Sequence, residues 1–145
     1  MKGVLMSRES KKRKLGKAKE IERGDLKAIC KELAEKGFDH VKSLTGIDRP
    51  EDGQIELVYH VSSYSSSDLQ GEIAEIRTKI DRDDPRIGSL AELWPSAEYM
   101  EAETRDLLGV IFEGNELGDP LLLPEELKDE YPLRKDFVIP EEGIK

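Results

Sequence analysis

Residues 54–61 read Gln54-Ile55-Glu56-Leu57-Val58-Tyr59-His60-Val61, and their alternation decides the fold. Ile55, Leu57, Tyr59 and Val61 fall on one side of an extended chain, and Gln54, Glu56, Val58 and His60 on the other. A period of two with one apolar side is the pattern of a half-buried strand. His60 is expected on the wetter side as a surface residue; a metal role has no second ligand nearby.

Working outward, Phe38 to Ile47 alternates weakly and reads as a preceding strand. The cluster Asp48-Arg49-Pro50-Glu51-Asp52-Gly53 closes it as a turn. Further upstream, Leu26, Ile29, Cys30 and Leu33 recur at helical spacing, with Asp25 as the expected N-cap and Gly37 as the stop. That stripe places Cys30 on the buried face as a small packed thiol. Downstream, the serine-rich run 62–67 reads as a loop. Ile73, Ile76, Thr78 and Ile80 then predict a third strand pairing with its predecessor, ended by Asp81-Arg82-Asp83-Asp84-Pro85. The expected class is α+β: an N-terminal helix packed on a small, mostly antiparallel sheet, with further short helices.

Beyond residue 85 the pattern changes. Gly88 to Trp94 predicts a short helical turn broken by Pro95, after which Ser96 caps a stronger helix. Ala97, Met100, Thr104, Leu107 and Leu108 share one face of that helix, and Gly109 stops it. Glu98, Glu101, Glu103 and Asp106 line the rest, which on composition alone is a solvated acidic face. Glu101 and Arg105 stand at i, i+4 in the favourable order for an ion pair. Val110-Ile111-Phe112 is a short apolar run before a Gly114-Asn115 turn. From Gly118 onward Pro120, Pro124, Pro132 and Pro140 exclude a regular helix or central strand, while Leu121-Leu122-Leu123 is apolar. A segment both extended and apolar must lie against something, so a partner is expected. The chain therefore divides into a flexible basic arm (1–20), an α+β core (21–115) and an extended C-terminal arm docking on a partner (116–145).

Composition narrows the chemistry. The 145 residues carry one cysteine and two histidines, His40 and His60. An internal disulfide, a four-thiolate iron–sulfur cluster and a four-ligand structural zinc are all excluded within one chain. No stretch reaches the length of a membrane helix, and the opening residues lack a signal-peptide apolar run, so a cytosolic location is expected. Charge is uneven: residues 1–20 hold eight Lys/Arg against two acids, while the whole chain is at −9. The basic arm could serve nucleic acid, anionic lipid or an acidic protein face, or be a solvated tail. No glycine-rich phosphate loop precedes a helix, and the paired carboxylates lack the cleft aromatics of a sugar-cleaving site.

The helix and tail read EAETRDLLGVIFEGNELGDPLLLPEEL and then YPLRKDF. This resembles the signature of the 30 kDa-type subunit (the C subunit) of respiratory NADH dehydrogenase (complex I) and of related membrane-bound energy-converting [NiFe] hydrogenases and sulfur reductases. Glu101, Glu103, Asp106, Gly109, Val110, Phe112 and Gly114 match the first block; Pro132, Leu133, Arg134, Lys135 and Asp136 match the second without a gap. Ala102 stands where the family carries Arg and Asn115 where it carries His, and the spacer holds no Arg pair. These departures point to the ferredoxin-linked hydrogenase or sulfur-reductase branch.

The resemblance implies a non-catalytic, cofactor-free structural subunit of the hydrophilic arm, with Fe–S clusters and [NiFe] carried by partner subunits. The implied partners are the large catalytic subunit and an Fe–S subunit, at the cytoplasmic side of the membrane and peripheral to it. Pro132 and Leu133 would hold the arm extended, Arg134 and Lys135 would meet acidic or carbonyl groups on the neighbour, and Asp136 would orient one of those bases. Glu101, Glu103 and Asp106 would fix the loop after Gly109. The alternatives are the same 30 kDa-type protein in an NADH:quinone oxidoreductase proper, or a free-standing binding module that uses the basic residues 8–19.

Overall fold

The alternating run is the centre of the sheet. In the computed structural model, which describes residues 19–117 and 123–138, the elements are β1 (Lys19–Ile21), α1 (Leu26–Lys36), β2 (His40–Arg49), β3 (Gln54–Ser62), β4 (Ala74–Asp81), β5 (Arg86–Gly88), α2 (Ala97–Leu108) and β6 (Ile111–Glu113). The main sheet has the order β1-β4-β3-β2. Both β2 and β4 run antiparallel to β3, and β1 adds in parallel to β4. A second sheet pairs β5 with β6 in parallel. The expected α+β class holds, with parallel pairs that alternation alone could not reveal. Lys19 and Glu20, assigned to the arm, are strand residues in register with Ile76 and Arg77.

Ile55, Leu57, Tyr59 and Val61 are all fully buried and join one cluster with Leu26, Ile29, Cys30 and Leu33 of α1 and with Ala97 and Leu108 of α2. Burial pushes the Cys30 thiol up to about 12. Gly46 stands opposite Leu57 in the register. A Cβ there would run into the Leu108 methyl and touch Thr104, so α2 crosses β2 at the one position without a side chain. Trp94 donates its indole N–H to the Phe38 carbonyl (2.9 Å), fastening the turn before α2 to the start of β2.

The helix starts differ from the sequence reading. Neither Asp25 nor Ser96 makes a side-chain cap bond. The Ser96 hydroxyl instead accepts from the Val41 N–H (2.9 Å) and donates to the Val41 carbonyl (3.2 Å), closing the outer edge of β2. The stops hold: Gly37 and Gly109 adopt φ of 117° and 85°, a left-handed conformation that only glycine enters without steric cost. Gly88, expected in a helical turn, ends β5.

The face of the sheet opposite the helices carries a polar ladder. Glu56 accepts from Arg49 Nε (3.0 Å) and Arg77 (3.3 Å), and Glu75 accepts from Arg77 Nε (2.7 Å). His60 lies on this side as its parity requires, but half-buried between Ser43 Oγ and Glu75 Oε1, each at 2.9 Å.

Candidate functional site at the junction of α2 and the C-terminal turns

A helix leaves its last carbonyls without intrahelical donors, and a buried helix end must find them elsewhere. In α2 the donors come from the second sequence block. The Leu107 carbonyl accepts from the Leu133 N–H (2.9 Å) and the Leu108 carbonyl from Arg134 Nε (2.8 Å). Past the stop, the Tyr131 ring lies where a Cβ on Gly109 would come within 2.9 Å. The Arg134 guanidinium sits 5.2 Å from the centroid of the same ring, within cation–π range. The two blocks of the signature, separated along the chain by residues 115–131, therefore meet in space at the end of α2.

A buried carboxylate fastens the other side of the turn. Asp48, 3% exposed, receives Arg82 in fork geometry (Nε to Oδ1 2.6 Å, terminal N to Oδ2 2.9 Å) and the Lys135 N–H (2.7 Å). The Arg82 hydrogen bond is the main reason its carboxyl stays below the ordinary range. Arg82 also reaches Asp136 at 3.3 Å. Sequence reasoning missed Asp48 and Arg82, taking both as turn punctuation. The available signal was parity: Leu44, Gly46 and Asp48 continue one side of β2, the side facing Tyr59, Leu57 and Ile55.

The described part of the proline-rich segment is thus not an extended arm. Residues 125–127 form a short 3-10 turn, and residues 131–137 form two successive turns, Arg134 N–H to Tyr131 carbonyl and Phe137 N–H to Arg134 carbonyl, each 3.0 Å. Proline fits a turn corner as readily as an extended chain, and here Pro132 takes the corner. Arg134, expected to meet groups on a neighbour, donates to the Leu108 carbonyl of its own chain, and Asp136, expected to orient Arg134 or Lys135, lies against Arg82 instead. Leu121 and Leu122 lie outside the described residues.

The acidic helix is also not a uniformly solvated face. Glu101 is fully buried, and Asp106 is 3% exposed. Glu101 does not pair with Arg105; it accepts from Ser89 Oγ (2.6 Å), the Leu90 N–H (2.7 Å) and Asn115 Nδ2 (2.9 Å). Burial outweighs those donors and raises its pKa. Arg105 instead pairs with Asp106 (2.9 Å) and donates to the Leu117 carbonyl (3.0 Å). Both acids thereby hold the chain just after Gly109, with Phe112 buried and Gly114 at φ 100°. Glu103 is half-buried, and its carboxylate makes no hydrogen bond or ion pair among the described residues. Asp48 and Glu101 each accept three hydrogen bonds from separate segments, an arrangement that fastens elements together. Among the described residues no group of His, Cys, Asp and Glu is placed to hold a metal ion, and no helix is long and apolar enough to cross a membrane.

Residues 19–143 match the family described as "Respiratory-chain NADH dehydrogenase, 30 Kd subunit", and the chain belongs to that family. It is 43% identical over 121 residues to the C subunit of the NADH-quinone oxidoreductase of Moorella thermoacetica, covering 81% of this chain and 77% of that one. It is 33% identical over 120 residues to the C subunit of the F(420)H(2) dehydrogenase of Methanosarcina mazei, covering 81% and 72%. Among solved structures it superposes on a chain of the membrane-bound sulfane sulfur reductase, an archaeal respiratory membrane complex. The TM-score is 0.79 at 28% identity, over 95% of this chain and 79% of that one.

Proposed function

We propose that this chain is a cofactor-free structural subunit in the hydrophilic arm of a membrane-bound, complex I-like respiratory assembly. It binds and stabilises the large catalytic subunit, beside an Fe–S subunit, on the cytoplasmic side of the membrane, while Fe–S clusters and, in one branch, [NiFe] belong to its partners. Pro132, Leu133, Arg134, Lys135 and Asp136 are its docking segment. The observation that carries this reading is the meeting of the two signature blocks: the second is presented as a braced turn at the end of α2.

The branch we favour is the ferredoxin-linked hydrogenase or sulfur reductase, supported by the likeness to the sulfane sulfur reductase chain over 95% of the protein. The 43% identity to a protein of an NADH-quinone oxidoreductase supports the second reading, a quinone-linked complex.

The test is capture of the tagged full-length chain from mildly solubilised membranes of its own host. The expected result is co-elution of a large subunit and an Fe–S subunit, with the isolated chain itself colourless and metal-free. Elution of the chain alone, from cells that contain such a complex, overturns the proposal. The captured complex then decides the branch: reduced ferredoxin consumed with protons or polysulfide supports the first, and quinone reduction supports the second.

A further inference from the structure

Away from the α2 junction, a hydrogen-bonded chain of three side chains joins the start of β2 to the end of β3. Ser62 Oγ lies 2.7 Å from His40 Nε2, and His40 Nδ1 lies 2.8 Å from Asp39 Oδ1. Hydroxyl, imidazole and carboxylate stand in the order in which a base, oriented by an acid, activates a serine nucleophile. The acid is itself fixed: Asp39 accepts from the Tyr64 N–H (3.0 Å), the Ser65 N–H (3.0 Å) and Ser65 Oγ (2.6 Å). The bond to His40, together with these donors, holds its carboxyl well below the ordinary range. The imidazole is fixed as well, because the Tyr64 ring stacks on it with 3.8 Å between centroids and 5° between planes. With the carboxylate accepting from Nδ1–H, the neutral ring presents Nε2 as an acceptor to the Ser62 hydroxyl. A second set, Ser43, His60 and Glu75, lies beside it, but Glu75 also accepts from Arg77 Nε (2.7 Å), so an arginine already neutralises that acid. The described donors to Asp39 other than His40 are all neutral, which leaves its charge facing the imidazole.

We propose that Ser62 is a nucleophile that accepts an acyl group from an activated ester, with His40 as its general base and Asp39 as the residue that positions His40. This goes beyond the proposed function and does not depend on it. Ser62 Oγ bonds to the acyl carbon while its proton passes to His40 Nε2. The bond from that carbon to the leaving group then breaks, and the leaving group departs with the electron pair and the proton from the imidazolium. Water, giving its proton to the same nitrogen, next attacks the acyl carbon, and Ser62 recovers a proton as the carboxylic acid is released. The Tyr64 and Ser65 N–H groups are committed to Asp39 and cannot also bind an oxyanion. One such donor contributes about 100-fold or more in rate, so without these two the substrate class narrows to acyl groups on a good leaving group, such as a phenolate. Ser62 is half-buried on the sheet face opposite the helices, which suits a small acyl group.

The test treats the purified full-length chain with para-nitrophenyl acetate and locates the acetylated residues by peptide mass spectrometry. The expected result is an acetyl ester on Ser62, formed faster than on Ser43, Ser63 or Ser65, with a matching burst of nitrophenolate. His40→Gln is expected to slow acetylation of Ser62 by about 100-fold, in a chain whose circular dichroism and melting midpoint match wild type. Nitrogen NMR of the labelled imidazole reads the positioning role of Asp39 separately. The proton is expected on Nδ1 in wild type, and Asp39→Asn is expected to move it to Nε2 and to slow the acetylation. Acetylation of Ser62 no faster than of Ser63 and Ser65 overturns the proposal without recourse to any variant. A folded His40→Gln chain that acetylates Ser62 at the wild-type rate overturns it too. A wild-type ring protonated on Nε2 overturns the roles given to His40 and Asp39, and faster acetylation of Ser43 overturns the choice of Ser62.

Discussion

Gly109 carries two constraints at once. Its φ of 85° disfavours any L side chain, and the Tyr131 ring occupies the space a Cβ would need. Gly53 carries only the first: its φ is 68°, and nothing lies within 4 Å of a built Cβ. The left-handed conformation costs a non-glycine residue about 1 kcal/mol, and forcing a methyl into a packed contact adds about 1–3 kcal/mol. Gly109→Ala is therefore expected to destabilise by about 2–4 kcal/mol and Gly53→Ala by about 1 kcal/mol, both read from urea unfolding midpoints. The excess at Gly109 measures how firmly the ring is held against the end of α2. Equal losses would mean that Tyr131 moves aside at little cost. The sequence marked Gly109 as a helix stop, and it is one; the ring across from it was not legible, because Tyr131 is distant along the chain.

At the scale of the element, α2 is amphipathic with a buried acid inside it, and its pH response follows from Glu101. Burial raises the folded pKa of Glu101 above its unfolded value. The stability this group contributes is therefore complete below the unfolded value of about 4.3 and is lost as pH rises through the folded one. Glu101→Gln stays neutral throughout. The variant is expected to carry a flat cost of about 1–3 kcal/mol, since the amide presents a donor where one of three donors already points. It should also lose less stability than wild type between pH 4.5 and 7. Unfolding free energies at several pH values check this, and parallel pH profiles would remove Glu101 as the titrating group. The period of α2 was readable from Ala97, Thr104 and Leu108. The fate of its acids was not, because the donors that bury Glu101 come from Ser89, Leu90 and Asn115 and so depend on how other segments fold over it. The i, i+4 pairing rule failed at Arg105 for the same reason: the Leu117 carbonyl and Asp106 offered better-placed acceptors.

For the molecule as a whole, the two faces of the main sheet are stabilised by different physics. The inner face is apolar and packed by α1 and α2. The outer face has no such packing at Glu56 and Glu75, and is held by a ladder in which Arg77 bridges both carboxylates. Burial alone would raise both acids, but hydrogen bonds from Arg49 and Arg77 hold Glu56 below the ordinary range, and those from His60 and Arg77 do so for Glu75. A depressed carboxylate contributes stability above its unfolded pKa and loses it as pH falls through the folded one, the opposite sign to Glu101. Wild-type stability should thus weaken progressively below about pH 4.3. Arg77→Met keeps the stem that covers the sheet and removes the shared partner, so Glu56 and Glu75 should titrate higher and the acid-unfolding midpoint should move up. Because the Arg77 side chain is 36% exposed, screening by solvent limits the loss at neutral pH to about 1 kcal/mol. Far-UV circular dichroism from pH 7 to 2 follows the transition. An unchanged acid midpoint in the variant would leave the outer face stabilised by its strand pairing alone, with the ladder a solvated decoration on it.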